Sequence, residues 1–156
     1  MKNLFYALLL LPILFSCDDD NIYNATLQLE DDIALIEQYI IDNNLNAIED
    51  GTGVFYVIED EGTGTEYPTS FAQVYMAYRG YLLDGTEFDS ADTVNPLSIS
   101  LSQTIAGWRF GVPKFKKGGK GKLIIPSPLG YANSPVGNIP ANSVLVFDIE
   151  LLDFTN

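Results

Sequence analysis

The chain has 156 residues, 47% of them apolar, and a formal net charge of −13. That is room for one domain with a real core plus appendages, and too little clustered basic charge for a phosphate-binding face, so nucleic acid is a poor partner. With no histidine and one cysteine, most zinc sites, histidine-based nucleophile pairs and intramolecular disulfides are excluded, and no metal or cofactor is expected.

Residues 1–17 read MKNLFYALLLLPILFSC. Lys2 precedes an apolar run from Leu4 to Phe15, too short to span a bilayer of about 30 Å and of the length of a signal-peptide core. Its end, Leu14-Phe15-Ser16-Cys17, resembles a bacterial lipoprotein box: a small residue before the cysteine admits the peptidase, and the thiol receives the lipid. The resemblance implies removal of residues 1–16, diacylglyceryl attachment at Cys17, and a place on the bacterial cell envelope, at the periplasmic or surface face of the outer membrane. Asp18, Asp19 and Asp20 follow, and residues 17–28 read as the lipidated cysteine with an acidic tether.

Residues 29–52 read as an N-terminal helix and linker. Leu29, Ile33, Ile36 and Ile40 recur at spacings of three and four, with Glu37, Gln38 and Asp42 opposite. Glu30, Asp31 and Asp32 suit a first helical turn, where acids complement the helix dipole. Packing of this amphipathic helix on its own domain, with the chain a monomer, is the default expectation; dimerisation through the helix is the alternative.

From residue 53 to 156 the signal is β. Val54–Ile58 is a short apolar run, and Val74–Leu83 alternates, with Val74, Met76 and Tyr78 on one face and Tyr75, Ala77 and Arg79 on the other. Asp84-Gly85 is a hairpin turn. Leu97, Ile99 and Leu101 alternate with serines. Thr104 is a candidate N-cap for a short helix through Trp108. Lys122–Ile125 and Val144–Leu152 read as further strands. Five lysines fall within nine residues, Lys114 to Lys122; a solvated hairpin rim is the favoured reading and a small anionic docking patch the sharper one. The fold class is α+β, an antiparallel sheet with one or two helices.

Local contexts give the aromatic residues a meaning beyond core filling. Tyr78-Arg79-Gly80-Tyr81-Leu82-Leu83-Asp84-Gly85-Thr86-Glu87-Phe88-Asp89-Ser90 resembles the signature Y-x-G-x-L-x-D-G-x-x-F-D-S of the FKBP-type peptidyl-prolyl cis–trans isomerases. Ile105-Ala106-Gly107-Trp108, the strand from Gly118 to Pro126, the loop Leu129-Gly130-Tyr131-Ala132 and the closing segment Ile139 to Leu152 resemble the family's later motifs in order. Together they cover roughly residues 53–153.

The resemblance implies a five- or six-stranded antiparallel sheet wrapped around a short helix, with an apolar pocket between them. Trp108 would be its floor, and Tyr78, Phe88, Ile105 and Phe147 its catalytic walls. Leu97 and Ile139 would add substrate-binding surface. The Tyr131 hydroxyl and the Asp89 carboxylate would converge on the ligand, and the Ile105 N–H would bind a carbonyl. The implied partners are proline-containing polypeptides of the envelope, with macrolide immunosuppressant-type inhibitors as further ligands. This chain departs from the pattern at Leu97, where an aromatic is usual, and after Ser90, where Ala91-Asp92-Thr93-Val94 lacks a basic residue. Those departures motivate the alternative: an FKBP-fold chaperone or peptide-binding module with little catalysis.

Overall fold

The computed structural model describes residues 23–156; the readings on the signal peptide, Cys17 and Asp18–Asp20 lie outside them. The first element is the helix α1, Ala25–Asp42. It starts four residues before the expected Leu29, because the Asn24 side chain accepts the Thr26 and Leu27 N–H groups at 3.0 and 3.3 Å, the geometry of an N-cap. It stops at Asp42, two residues before Asn44 turns left-handed at φ 50. Glu30, Asp31 and Asp32 consequently fall beyond the first turn, and Asp32 is fully buried.

Seven antiparallel strands follow. They are β1 (Ile48–Glu49), β2 (Phe55–Asp60), β3 (Gln73–Leu82), β4 (Glu87–Ala91), β5 (Leu97–Ser100), β6 (Lys120–Ile125) and β7 (Leu145–Thr155). Their order is β1-β2-β6-β7-β3-β4, with β5 also on β3. The Asp84-Gly85 turn joins β3 to β4 as expected: Gly85 donates to the Leu82 carbonyl at 2.9 Å, and the Asp84 carboxylate takes the Thr86 N–H. A short helix α2, Ala106–Gly111, lies between β5 and β6.

Strand periodicity sorts the apolar side chains onto two faces. Leu123, Ile125, Leu145, Phe147, Ile149 and Leu151 join Val74, Met76 and Trp108 on the α2 side. Ile124, Val146, Phe55 and Tyr81 point the other way and pack with Ile36 of α1, flanked by Ile33 and Ile40. The sheet is therefore covered on both faces, which is why Leu123-Ile124-Ile125 is an unbroken apolar run with no residue exposed. α2 sits close against β6 because Gly107 presents no Cβ: one there would overlap the Ile125 side chain. Thr104 does not cap α2. Its hydroxyl donates to the Leu101 carbonyl at 2.7 Å, and the N-cap position belongs to Ile105.

The five lysines each meet an acid. Lys114 pairs with Asp50 at 3.6 Å, Lys116 with Glu61 at 3.5 Å, Lys117 with Asp153 at 2.9 Å, Lys120 with Glu150 at 3.0 Å, and Lys122 with Asp148. Exposed pairs contribute about 0–1 kcal/mol each, so the run is a neutralised rim rather than a free cationic patch. Lys122 is the inner member. It also donates to the Tyr81 hydroxyl at 2.6 Å, and register explains the meeting, since Lys122 stands opposite Asp148 on β7. Burial first, then a hydrogen bond with Tyr39 of α1 and the nearby Asp148, hold the Tyr81 phenol well above its ordinary value of 10.0.

Candidate functional site

Between α2 and the concave side of the sheet lies a cleft of about 500 Å³. Its floor is Trp108, only 5% exposed, which the short α2 presents upward. Tyr78 meets the indole edge-to-face at 5.1 Å and 82°, and Phe147 does so from the other side at 5.2 Å and 77°. Phe147 in turn is braced by Phe88 at 5.6 Å and 83°. Edge-to-face contacts at these distances are the favoured aromatic geometry, worth about 0.5–1.5 kcal/mol per pair beyond area burial. Three strands and a helix thus hold one rigid aromatic basin. The Trp108 Nε1–H is buried and has no partner among the described residues.

Of the residues singled out from the sequence, Tyr78, Asp89, Leu97, Ile105, Trp108, Tyr131 and Phe147 line this cleft. Phe88 does not: on β4, it stands behind Phe147 as a brace. Ile139 does not either; it is 5% exposed and packs in the core cluster. Ile99, Gln103 and Thr104 line the cleft and were not anticipated. Ile99 was findable, since it lies two residues from Leu97 on β5 and shares its face. Gln103 ends a single 3₁₀ turn after β5 and Thr104 caps it, where no periodic signal operates.

Polar groups are few and placed at the rim. The Tyr78 hydroxyl donates to Asp89 Oδ2 at 2.5 Å, and Asp89 Oδ1 accepts the Ser90 N–H at 2.9 Å. Burial first, then this hydrogen bond and the Asp89 charge, push the Tyr78 phenol well above its ordinary value of 10.0. It therefore stays a neutral donor, and Asp89 is turned toward it rather than left free. Among the described residues, the Ile105 N–H donates to no backbone carbonyl; it opens the helix and lies in the cleft lining, available to a ligand oxygen. Tyr131, 37% exposed, overhangs from the loop after β6.

That loop is tightly drawn. The Ser127 carbonyl accepts both the Gly130 N–H at 2.9 Å and the Ala132 N–H at 2.7 Å, and the Ala132 carbonyl accepts from Asn142 at 2.8 Å. Ala132 has φ 53, a left-handed conformation costing a residue with a Cβ about 1–2 kcal/mol. The surrounding hydrogen bonds offset that cost and leave Tyr131 on a defined turn.

Residues 64–152 match the sequence family described as FKBP-type peptidyl-prolyl cis-trans isomerase. The chain belongs to this family. The FKBP-type isomerase FkpA of Buchnera aphidicola (Schizaphis graminum) is 47% identical over 106 residues, 67% of this chain and 42% of that protein. The Escherichia coli K12 FkpA is 48% identical over 103 residues, 65% of this chain and 38% of its own length. The chain thus spans about two fifths of the length of the curated relatives it matches. The crystal structure of E. coli FkpA superposes with a TM-score of 0.71 at 39% identity, covering 84% of this chain and 62% of that one. A Pseudomonas syringae peptidyl-prolyl cis-trans isomerase gives 0.69 at 27% identity, covering 81% and 96%. The FKBP-type fold, a sheet wrapped around a short helix with a helix before it, is the one described above. The aromatic cleft falls inside the matched residues, and α1 falls before them.

Proposed function

We propose that this FKBP-type chain accelerates rotation about X–Pro bonds in exported polypeptides, working from the bacterial envelope on a lipid anchor. The observation that carries the reading is the basin of Trp108, Tyr78 and Phe147, with the unengaged Ile105 N–H in its lining.

Rotation about a peptide C–N bond faces a barrier of about 18–20 kcal/mol, set by amide resonance. At the crest the amide is twisted and less polar than in either planar isomer. A dry aromatic basin therefore favours it relative to water, and a thousandfold acceleration needs only about 4 kcal/mol of such differential binding. In this reading the prolyl ring rests on Trp108 between Tyr78 and Phe147. The Ile105 N–H takes a substrate carbonyl outside the rotating amide, which fixes the chain beside the seated ring while the acyl group swings. Tyr131 donates from the rim to a neighbouring carbonyl. The Tyr78–Asp89 pair fixes one wall. No bond is made to the protein.

The test is the refolding of a protein whose slow step is a prolyl isomerisation, which is otherwise tens to hundreds of seconds. Substoichiometric full-length chain is expected to shorten that phase several-fold. A phase left unchanged or slowed while the chain binds the client points instead to a holding module.

For the anchor, we propose cleavage before Cys17 and attachment of a diacylglyceryl group to its thiol. Each buried CH₂ adds about 0.8 kcal/mol, so two or three acyl chains hold the domain firmly. Intact-mass spectrometry on chain extracted from bacterial membranes is expected to show a product that begins at Cys17 and carries acyl chains, lost in Cys17→Ser. A product retaining residues 1–16 removes the anchor from this account.

A further inference from the structure

The helix α1 does more than cover the outer face of the sheet. Its docking surface is apolar, Ile33, Ile36 and Ile40 against Phe55, Ile124 and Val146, and needs no charge. Yet Asp32, on the same helix, is fully buried. A carboxylate is among the most costly groups to desolvate, and its placement asks for a reason. Asp32 Oδ1 accepts from Gln28 Nε2 at 2.8 Å, within the helix. Asp32 Oδ2 reaches across 95 residues of sequence to accept the Ser127 N–H at 2.6 Å. Hydrogen bonds to an ionised acceptor are the short and strong class.

Ser127 is the residue on which the Tyr131 loop hangs. Its carbonyl accepts the N–H groups of Gly130 and Ala132, the residues on either side of Tyr131. The chain of contacts is continuous: α1 carboxylate, Ser127 N–H, Ser127 carbonyl, and the two peptides that aim the tyrosine over the cleft. Asp32 lies outside the residues that match the family, so this tie is made by the helix that precedes the isomerase domain.

We propose that Asp32 is a positioning residue for Tyr131: the α1 carboxylate locks the Ser127 turn and thereby sets where the Tyr131 hydroxyl stands in the cleft. The proposal rests on the isomerase reading for its activity readout, and on the loop geometry alone for its spectroscopic one.

In the full chain, Asp32→Ala is expected to lower kcat/KM on a proline peptide about tenfold, equivalent to 1.36 kcal/mol of transition-state stabilisation. Asp32→Asn keeps an oxygen that can accept the Ser127 N–H and is expected to retain most of the rate. In a Tyr131→Phe background the Asp32→Ala change is expected to cost nothing further, because the hydroxyl it positions is already gone. Losses that multiply in the double variant, or a folded Asp32→Ala chain at the wild-type rate, overturn the proposal. Amide NMR supplies the second readout. In Asp32→Ala the Ser127, Tyr131 and Ala132 resonances are expected to shift together, and in Asp32→Asn, which keeps the acceptor, those of Tyr131 and Ala132 are expected to stay near their wild-type positions. If only Ser127 shifts in Asp32→Ala, the coupling to the loop does not exist. This arm stands even if the wild-type chain proves inactive, in which case the isomerase reading fails and the positioning claim is judged on the resonances.

Discussion

Gly121→Ala is expected to unfold the chain or to cost it about 4 kcal/mol or more, a loss at the exceptional end for one substitution and comparable to the whole stability of many domains. Gly121 is buried on β6, between β2 and β7. A Cβ built there overlaps the Val57 carbonyl oxygen and comes within 2.9 Å of the Phe115 ring. The first obstacle is backbone, and it cannot rotate away. Val57 pairs with Lys122 in the ladder, and the β2–β6 register already shifts beside this point, between Ile58 and Asp60. Relief requires β2 to part from β6, which opens the wall of both cores. Gly107 makes the contrast. Its missing Cβ also faces an overlap, but with the Ile125 side chain rather than with a ladder peptide. Urea unfolding followed by far-ultraviolet circular dichroism measures the loss. A Gly121→Ala midpoint within experimental error of wild type would show that the strands separate at little cost.

Phe147→Ala is expected to lower kcat/KM about a hundredfold, roughly 2.7 kcal/mol in the transition state, and to cost about 3–5 kcal/mol in stability, the usual range for a buried phenylalanine. The two losses have one origin. Phe147 is 4% exposed and touches three rings at once, Trp108 at 5.2 Å, Phe88 at 5.6 Å and Tyr78 at 6.2 Å. Its removal takes one wall from the cleft, leaves Phe88 bracing nothing, and frees the Trp108 indole to tilt. Phe147→Leu keeps most of the volume but no edge to offer the indole, so a smaller stability loss with most of the activity loss is expected. Steady-state rates beside urea midpoints separate the effects. A folded Phe147→Leu chain at the full wild-type rate would remove the ring from the mechanism.

Much of this fold is written in local pattern. The alternation of Val74, Met76 and Tyr78, the Asp84-Gly85 turn and the serine-spaced Leu97 and Ile99 mark strands that the structure contains, because a sheet with two distinct faces imposes a period of two. Helix ends were less legible. The start of α1 is fixed by the Asn24 side chain, a cap whose strength the apolar spacing of Ile33, Ile36 and Ile40 does not register. Thr104 carries the residue type of a cap, yet its hydroxyl finds the Leu101 carbonyl instead; composition names a capping residue without naming its partner.

The cleft divides in the same way. Tyr78, Trp108 and Phe147 come from motifs that place each ring on its element, and their meeting follows from the fold. Phe88 belongs to the same motif as Tyr78, yet its position on β4 puts it one ring further back. The inward turn of Asp32 had no sequence signal at all. Its partner Ser127 is 95 residues away, and an acid on a helix reads by default as solvated. The lysine run shows the converse. The residues announced charge, but the acids that neutralise them arrive from β7 and from the loops at Asp50 and Glu61.

On the proposed reading, an aromatic cleft lined by neither histidine nor cysteine turns X–Pro bonds. That reading is tested most directly by a protease-coupled measurement of cis-to-trans conversion in a proline tetrapeptide with the purified full chain. A first-order rate that rises linearly with chain concentration and collapses in Phe147→Leu is expected. A rate indistinguishable from buffer, with the chain folded by circular dichroism, would contradict it.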